Sequence, residues 1–267
     1  MNDYSGILLM TDLDGTFMNR KGELVERNLR ALDRFKAGGG LFTFATGRVH
    51  TTIERFLLPG WRELINCPAI LCNGACVFDP TENRILHQVT MRGEDVRHAV
   101  GQLFHSGRYT VNLYAGGDYT CYQDVPPEKI ESECWHKAVF VGEPKDVSEG
   151  WAWLAAQGES GYRFFRSAPH ILEILPAQGG KGAMLAWLKR YYASLGRRVI
   201  TVGAGDFEND LDLMEQADIG IAVANAIEPV KAAADRVLCT NDDGVIGDIL
   251  DCIDRGELIG EEARFGG

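Results

Sequence analysis

The sequence predicts an α/β fold, a doubly wound and largely parallel sheet with an α+β unit inserted into it. Three observations carry this expectation. Short apolar runs at 6–11 (GILLMT), 41–45 (LFTFA), 69–72 (AILC) and 199–202 (VITV) suit strands buried on both faces. Stretches with helical apolar spacing alternate with these runs. After Asp79-Pro80 the pattern turns to strict alternation, and near Gly180 it turns back. The 267 residues, 45% hydrophobic and 24% charged, are those of an ordinary globular protein with enough chain for a core and an insert.

The elements follow in order. After the first strand, Val25, Leu29 and Leu32 mark a helix that stops at Gly38-Gly39-Gly40. The second strand leads to a helix over His50 to Leu58, ended by Pro59-Gly60, and then to the third strand. This is the βαβ rhythm of a parallel sheet. In the insert, Tyr109 to Tyr114 alternates as a half-exposed strand does. Further strands are expected at 137–141, 162–165 and 171–175, and helices at 94–105 and 147–156. From Gly180 the α/β order resumes. A helical stripe runs through Met184, Leu185, Leu188, Tyr192 and Leu195, and a strand lies at 199–202. A helix at 209–216 and a strand at 219–223 come next, then shorter pieces through Val237-Leu238 and the stripe Val245, Ile249, Ile253. The expected division is a discontinuous core, 1–79 with 177–267, and an inserted cap, 80–176.

Charge and cysteine usage exclude several classes. Lys and Arg number 27 against 38 Asp and Glu, a net −11, the wrong sign for gripping a phosphate backbone, so no nucleic acid is expected as partner. No window approaches the roughly 18–20 apolar residues of a membrane span, and Met1-Asn2-Asp3-Tyr4 lacks a basic leader. The expectation is a cytoplasmic protein with no membrane partner. Seven cysteines without C-x-x-C spacing are read as reduced thiols rather than a zinc site or disulfide framework.

In open parallel sheets ligands sit at the carboxyl ends of strands. Those ends carry Asp12-Leu13-Asp14-Gly15-Thr16, Thr46-Gly47-Arg48, Asn73-Gly74-Ala75, and Gly205-Asp206-Phe207-Glu208-Asn209-Asp210. Two carboxylates at i and i+2 after a strand point the same way if the backbone stays extended, and they repel unless a cation lies between them. Asp206 supplies a third oxygen, a donor set that suits Mg²⁺. Between Arg198 and Lys231 there is no Lys or Arg, while seven carboxylates fall there, Asp206 and Asp210 among them. Two other motifs fail. Gly203-Ala204-Gly205 has Glu208 where a dinucleotide fingerprint needs glycine, and Gly179-Gly180-Lys181-Gly182 lacks the spacing of an NTPase phosphate loop.

DLDGT after an apolar strand, ATGR at 45–48, GKG at 180–182 and GDFEND at 205–210, in that order, make the chain resemble the haloacid dehalogenase (HAD) superfamily. The resemblance is to its Cof-type phosphatases, with a Rossmann-like core and a large α/β cap. It implies a Mg²⁺-dependent phosphatase for small phosphorylated metabolites, sugar phosphates foremost. Asp12 would be the nucleophile, forming an aspartyl-phosphate. Asp14 would be the acid/base, a position where relatives that dehalogenate or pump ions lack Asp. Phosphoryl oxygens would meet Thr46, the Leu13 and Gly47 backbone N–H groups, Lys181 and Asn209. Asp12, the Asp14 carbonyl and Asp206 would hold the metal, with Asp210 behind. Arg48 would fork onto a substrate anion or pair with a cap carboxylate. Asn73 would contact substrate or simply make a turn at the cap hinge. Two other readings share the motifs: a phosphomutase, and a signalling module phosphorylated on Asp12. Against the second stand the length, the insert and Asp14, which would speed loss of the phosphoryl group.

Overall fold

A computed structural model describes residues 2–54, 58–116, 119–132, 134–158 and 161–260. The chain divides into two compact units, Met1–Leu86 with Lys181–Gly267, and His87–Gly180. The first begins with β1 (Ile7–Thr11), α1 (Glu26–Ala37), β2 (Leu41–Phe44) and the short helices α2 (His50–Thr52) and α3 (Trp61–Leu64). It continues through β3 (Ala69–Leu71), β4 (Cys76–Asp79) and the first residues of β5 (Arg84–Gln88), whose last two belong to the second unit.

The second unit holds β6 (Met91–Arg92), α4 (Gly93–His105), β7 (Thr110–Ala115), β8 (Thr120–Gln123) and β9 (Cys134–Val141). After them come α5 (Pro144–Ala156), β10 (Tyr162–Ala168) and β11 (Ile171–Pro176). Its antiparallel sheet has the order β10-β11-β9-β7-β8, with β6 beside β9. Alternate residues such as Val111, Leu113, Phe140, Leu172 and Ile174 face a core shared with Val96, Val100 and Leu103 of α4 and Val147 and Leu154 of α5. That clustering is the period-two pattern read in the sequence.

The chain then completes the first unit with α6 (Lys181–Ser194), β12 (Ile200–Gly205), α7 (Leu211–Gln216), β13 (Ile219–Val223), α8 (Glu228–Ala233), β14 (Arg236–Leu238) and α9 (Val245–Asp254). Its main sheet is parallel, in the order β14-β13-β12-β1-β2. The chain winds from β1 to β2 on one side and from β12 to β14 on the other, so a topological switch point lies between β1 and β12. The strands are apolar throughout because both faces are covered: Ile7, Leu8, Leu9 and Met10 are all buried.

Several expectations shift. The third strand is not a full member of the parallel sheet. It meets β2 through one bridge, Ala45 with Ile70, and heads a separate sheet ordered β3-β4-β5, in which it pairs antiparallel with β4. That added sheet keeps residues past 79 with the first unit. The unit bounds at Leu86/His87 and Gly180/Lys181 therefore lie downstream of the expected 79/80 and 176/177. The helix expected over His50 to Leu58 is helical at His50–Thr52, and its residues 55–57 lie outside the described residues. Leu195 falls beyond α6 and is 56% exposed, whereas Met184, Leu185, Leu188 and Tyr192 are buried as the stripe required. In α1 the buried face is Asn28, Ala31, Leu32 and Phe35, one step round from the expected stripe. No helix among the described residues is long and apolar enough to cross a membrane.

Candidate active site

Strand register brings the candidate residues to one sheet edge. Thr11 pairs with Ala204, and the Asp12 N–H donates to the Ala204 carbonyl at 2.9 Å, which sets Asp12 level with Gly205 and Asp206. On the other side Ala45 N–H donates to Thr11 O at 2.8 Å, and Thr46 N–H to Ile70 O at 2.9 Å. Asp12, Thr46 and Asp206 thus leave their strands together.

Past Asp12 the backbone does not stay extended. It coils through one wide turn, Leu13–Phe17, in which Gly15 has φ 82°. A Cβ on Gly15 would stand 2.5 Å from Asp206 Oδ2, so glycine is required there for conformation and for space alike. The two carboxylates take different partners. Asp12 is buried, while Asp14 turns to Arg48, which forks onto it with Nε–Oδ2 and Nη2–Oδ1 both at 3.0 Å. The planar fork of Arg48 thus meets a carboxylate of its own unit.

The buried centre is a lysine between carboxylates. Lys181 Nζ, at the first residue of α6 and fully buried, lies 2.8 Å from Asp12 Oδ1 and 2.6 Å from Asp210 Oδ1. Burial opposes its charge, but Asp12 and Asp210 hold it above the ordinary lysine range. The other Asp210 oxygen accepts the Asp206 and Phe207 backbone N–H groups, at 2.9 and 3.2 Å. Asp210 thus ties Lys181 to the loop that presents Asp206.

Glycines permit this packing. A methyl on Gly182 would overlap the Asp212 carbonyl of α7, and one on Gly205 would overlap Asp210. Gly182→Ala should consequently push α6 and α7 apart and lower stability by about 1–3 kcal/mol. Gly101→Ala in α4, where a Cβ meets nothing, should be neutral or stabilising by up to about 1 kcal/mol. Thermal denaturation of the two variants checks the contrast.

Asp12, Asp206 and Asp210 each offer an oxygen, and the three oxygens lie within 4.8 Å of one another. An all-oxygen donor set at that spacing fits a hard divalent cation. With Lys181 bonded to Asp12 and Asp210, Asp206 has the Thr16 hydroxyl, at 3.0 Å, as its side-chain donor among the described residues. Burial, with Asp210 alongside, pushes the Asp206 carboxyl up to about 7, against the pull of Thr16. Burial also drives Asp12 well above the carboxylate range despite Lys181.

The sign for a metal-free chain follows. Both carboxyls are raised, so their contribution to stability is fully present below the ordinary carboxylate values and is lost as pH rises through about 7 for Asp206. A bound cation must displace those protons. Apparent Mg²⁺ affinity is expected to rise about tenfold from pH 6 to pH 8 through Asp206 alone, which titration calorimetry at the two values measures.

The remaining candidates cluster on the β2 and β3 side. Arg48 N–H donates to Thr46 Oγ1 at 3.2 Å, Asn73 N–H to Thr46 O at 2.9 Å, and Asn209 Nδ2 to Asn73 Oδ1 at 3.0 Å. Leu13 is buried within the turn that follows Asp12. Two groups of residues escaped the sequence reading. Thr16 belongs to DLDGT, where its position four after Asp12 was the available signal. The other group is three asparagines that take up carbonyls of the Asp12 turn: Asn225 on Gly15, Asn28 on Phe17 and Asn241 on Met18. Nothing in their local sequence pointed to that role, because each reaches the turn from a separate element.

Comparison with known proteins agrees with this geometry. The family model for haloacid dehalogenase-like hydrolases matches residues 9–134 and 120–250. Among relatives, the chain is 27% identical to the 5-amino-6-(5-phospho-D-ribitylamino)uracil phosphatase YcsE of Bacillus subtilis, over 89% of this chain and 92% of that one. It is 24% identical to the pyridoxal phosphate phosphatase YbhA of Escherichia coli, over 88% and 93%. The HAD subclass IIB sugar phosphatase BT4131 shares the fold, with a TM-score of 0.73 at 20% identity over 94% and 100% of the two chains. The chain belongs to the haloacid dehalogenase-like hydrolases, in their Cof-type phosphatase group.

Proposed function

We propose that this enzyme is a Mg²⁺-dependent phosphomonoesterase for small phosphorylated metabolites of the sugar phosphate kind, working in the cytoplasm through a phosphoryl group carried on Asp12. The observation that carries the reading is the close carboxylate set of Asp12, Asp206 and Asp210 with the buried Lys181 between Asp12 and Asp210. The relatives named above act on phosphorylated small molecules by name, and the sugar phosphatase shares the fold. Seven free cysteines suit a reducing compartment.

Asp12, Asp206 and the Asp14 carbonyl would hold the cation, which when bound supplies positive charge for the phosphoryl oxygens. Asp12 Oδ attacks phosphorus and the ester oxygen leaves. Lys181 holds Asp12 in place and opposes the penalty of its burial, and Thr46, Asn209 and the Leu13 and Gly47 N–H groups receive the equatorial oxygens. Asp14, once an oxygen leaves the Arg48 fork, passes a proton to the departing ester oxygen. It then takes a proton from the water that hydrolyses the aspartyl-phosphate. The inserted unit is the candidate cap, excluding bulk water and contacting the leaving group.

The test is hydrolysis of p-nitrophenyl phosphate and a panel of sugar phosphates, nucleotides and phosphorylated cofactors, with Mg²⁺ and with EDTA. Turnover that needs Mg²⁺ and ranks sugar phosphates highest in kcat/KM is expected. Isomerised sugar phosphate without phosphate release would make the enzyme a mutase, and a long-lived phosphorylated protein without turnover would make it a signalling module.

A further inference from the structure

We infer that Asn73 is a positioning residue that fixes the side-chain amide of Asn209 toward the phosphoryl group. The inference rests on the phosphatase reading, in which Asn209 donates to phosphate. Asn73 sits between β3 and β4, in a run of three consecutive left-handed residues, Cys72, Asn73 and Gly74, with φ 54°, 52° and 84°. Such a run is costly where the residues are not glycine, and it persists only where the surroundings hold it.

A tight turn explains a residue that tolerates positive φ, and glycine would serve best. It does not explain what the amide does. Asn73 Oδ1 accepts from Asn209 Nδ2 at 3.0 Å across 136 residues of sequence, with Asn73 only 1% and Asn209 8% exposed. Asn73 Nδ2 and Asn209 Oδ1 are both buried and have no hydrogen-bond partner among the described residues. Unpartnered buried amide atoms are disfavoured, so these two call for a ligand or a water.

The pair also selects one orientation of Asn209. A flip of that amide alone would set two oxygens against each other, so with Asn73 Oδ1 toward Asn209 the bond decides which edge of Asn209 carries the N–H groups. One of those two N–H groups is used by Asn73, which leaves the second for an anion. The same turn is tied to the other phosphate candidates. Asn73 N–H donates to Thr46 O, and its amide lies so close to Gly47 that a Cβ there would stand 2.8 Å from Nδ2. Asn73 thus joins the β2 loop, which offers Thr46 and Gly47, to the β12 loop, which offers Asn209.

Asn73→Gly separates turn from amide, because glycine keeps the left-handed backbone. It is expected to lower kcat with p-nitrophenyl phosphate about 10- to 100-fold, the scale of a lost oxyanion donor, with Mg²⁺ affinity unchanged. Added to Asn209→Ala, the same change should cost less than about twofold, since its effect runs through Asn209. Asn73→Asp, which keeps the acceptor oxygen, should recover most of kcat while its charge raises KM, and it serves equally if the glycine variant fails to fold. Wild-type kcat in Asn73→Gly, fully additive losses in the double variant, or no recovery in Asn73→Asp would each overturn the inference. Absence of Mg²⁺-dependent turnover in the wild-type protein would instead overturn the phosphatase reading.

Discussion

Lys181→Met is expected to destabilise the protein by about 3–5 kcal/mol and to abolish turnover, because it removes the cation from between two buried carboxylates and leaves them facing each other. The lysine is fully buried, with its two partners at 2.8 and 2.6 Å, so no water replaces it. The cost also has a pH signature. Burial already raises Asp12 with the lysine present. Without it the carboxyls rise further, so the folded state is penalised most where they must ionise. The loss should be larger at pH 8 than at pH 5, where protonation relieves the repulsion. Urea denaturation in EDTA at the two values measures it. A loss under about 1 kcal/mol at pH 8 would show that Lys181 does not neutralise this centre.

Asp12→Asn is expected to act in the opposite way on stability while costing activity at least as much. The amide keeps an oxygen for the 2.8 Å contact with Lys181 but cannot attack phosphorus, and a loss of about 10⁴-fold or more in kcat is the scale for removing a nucleophile. Removing a charge that burial disfavours should leave the metal-free protein as stable as wild type or more so at pH 8. The pair of variants thus separates roles that a simple loss of activity would merge. Lys181 holds the centre together, and Asp12 reacts in it.

Much of this centre is legible in the sequence, because strand tips in an open parallel sheet converge whatever the intervening chain does. Asp12, Lys181, Asp206 and Asp210 are brought together as the motif order implied, although 169 residues separate Asp12 from Lys181. What could not be read depends on local backbone geometry. The i, i+2 spacing suggested that Asp12 and Asp14 point together, whereas a wide turn begins at Leu13 between them and their side chains bond different cations, Lys181 and Arg48. Similarly, the apolar run at 69–72 looked like another parallel strand and does bridge β2 in parallel, but the turn at Cys72–Gly74 also pairs it antiparallel with β4. Side chains that act on carbonyls, such as Asn28, Asn225 and Asn241, carry no periodic signal at all.

Gly182 shows the same limit from another side. In the sequence it is one glycine of GKG beside the lysine. In the fold it is the point where α6 and α7 approach too closely for any side chain, and that approach delivers Lys181 and Asp210 to one another.

The central claim is that the phosphoryl group passes through Asp12, and acid-quenched mass spectrometry during steady-state turnover of p-nitrophenyl phosphate tests it most directly. The account predicts one phosphoryl group on the peptide that contains Asp12, present with Mg²⁺, absent with EDTA and absent in Asp12→Asn. Turnover with the phosphoryl group on another residue, or undiminished turnover by Asp12→Asn, would contradict it.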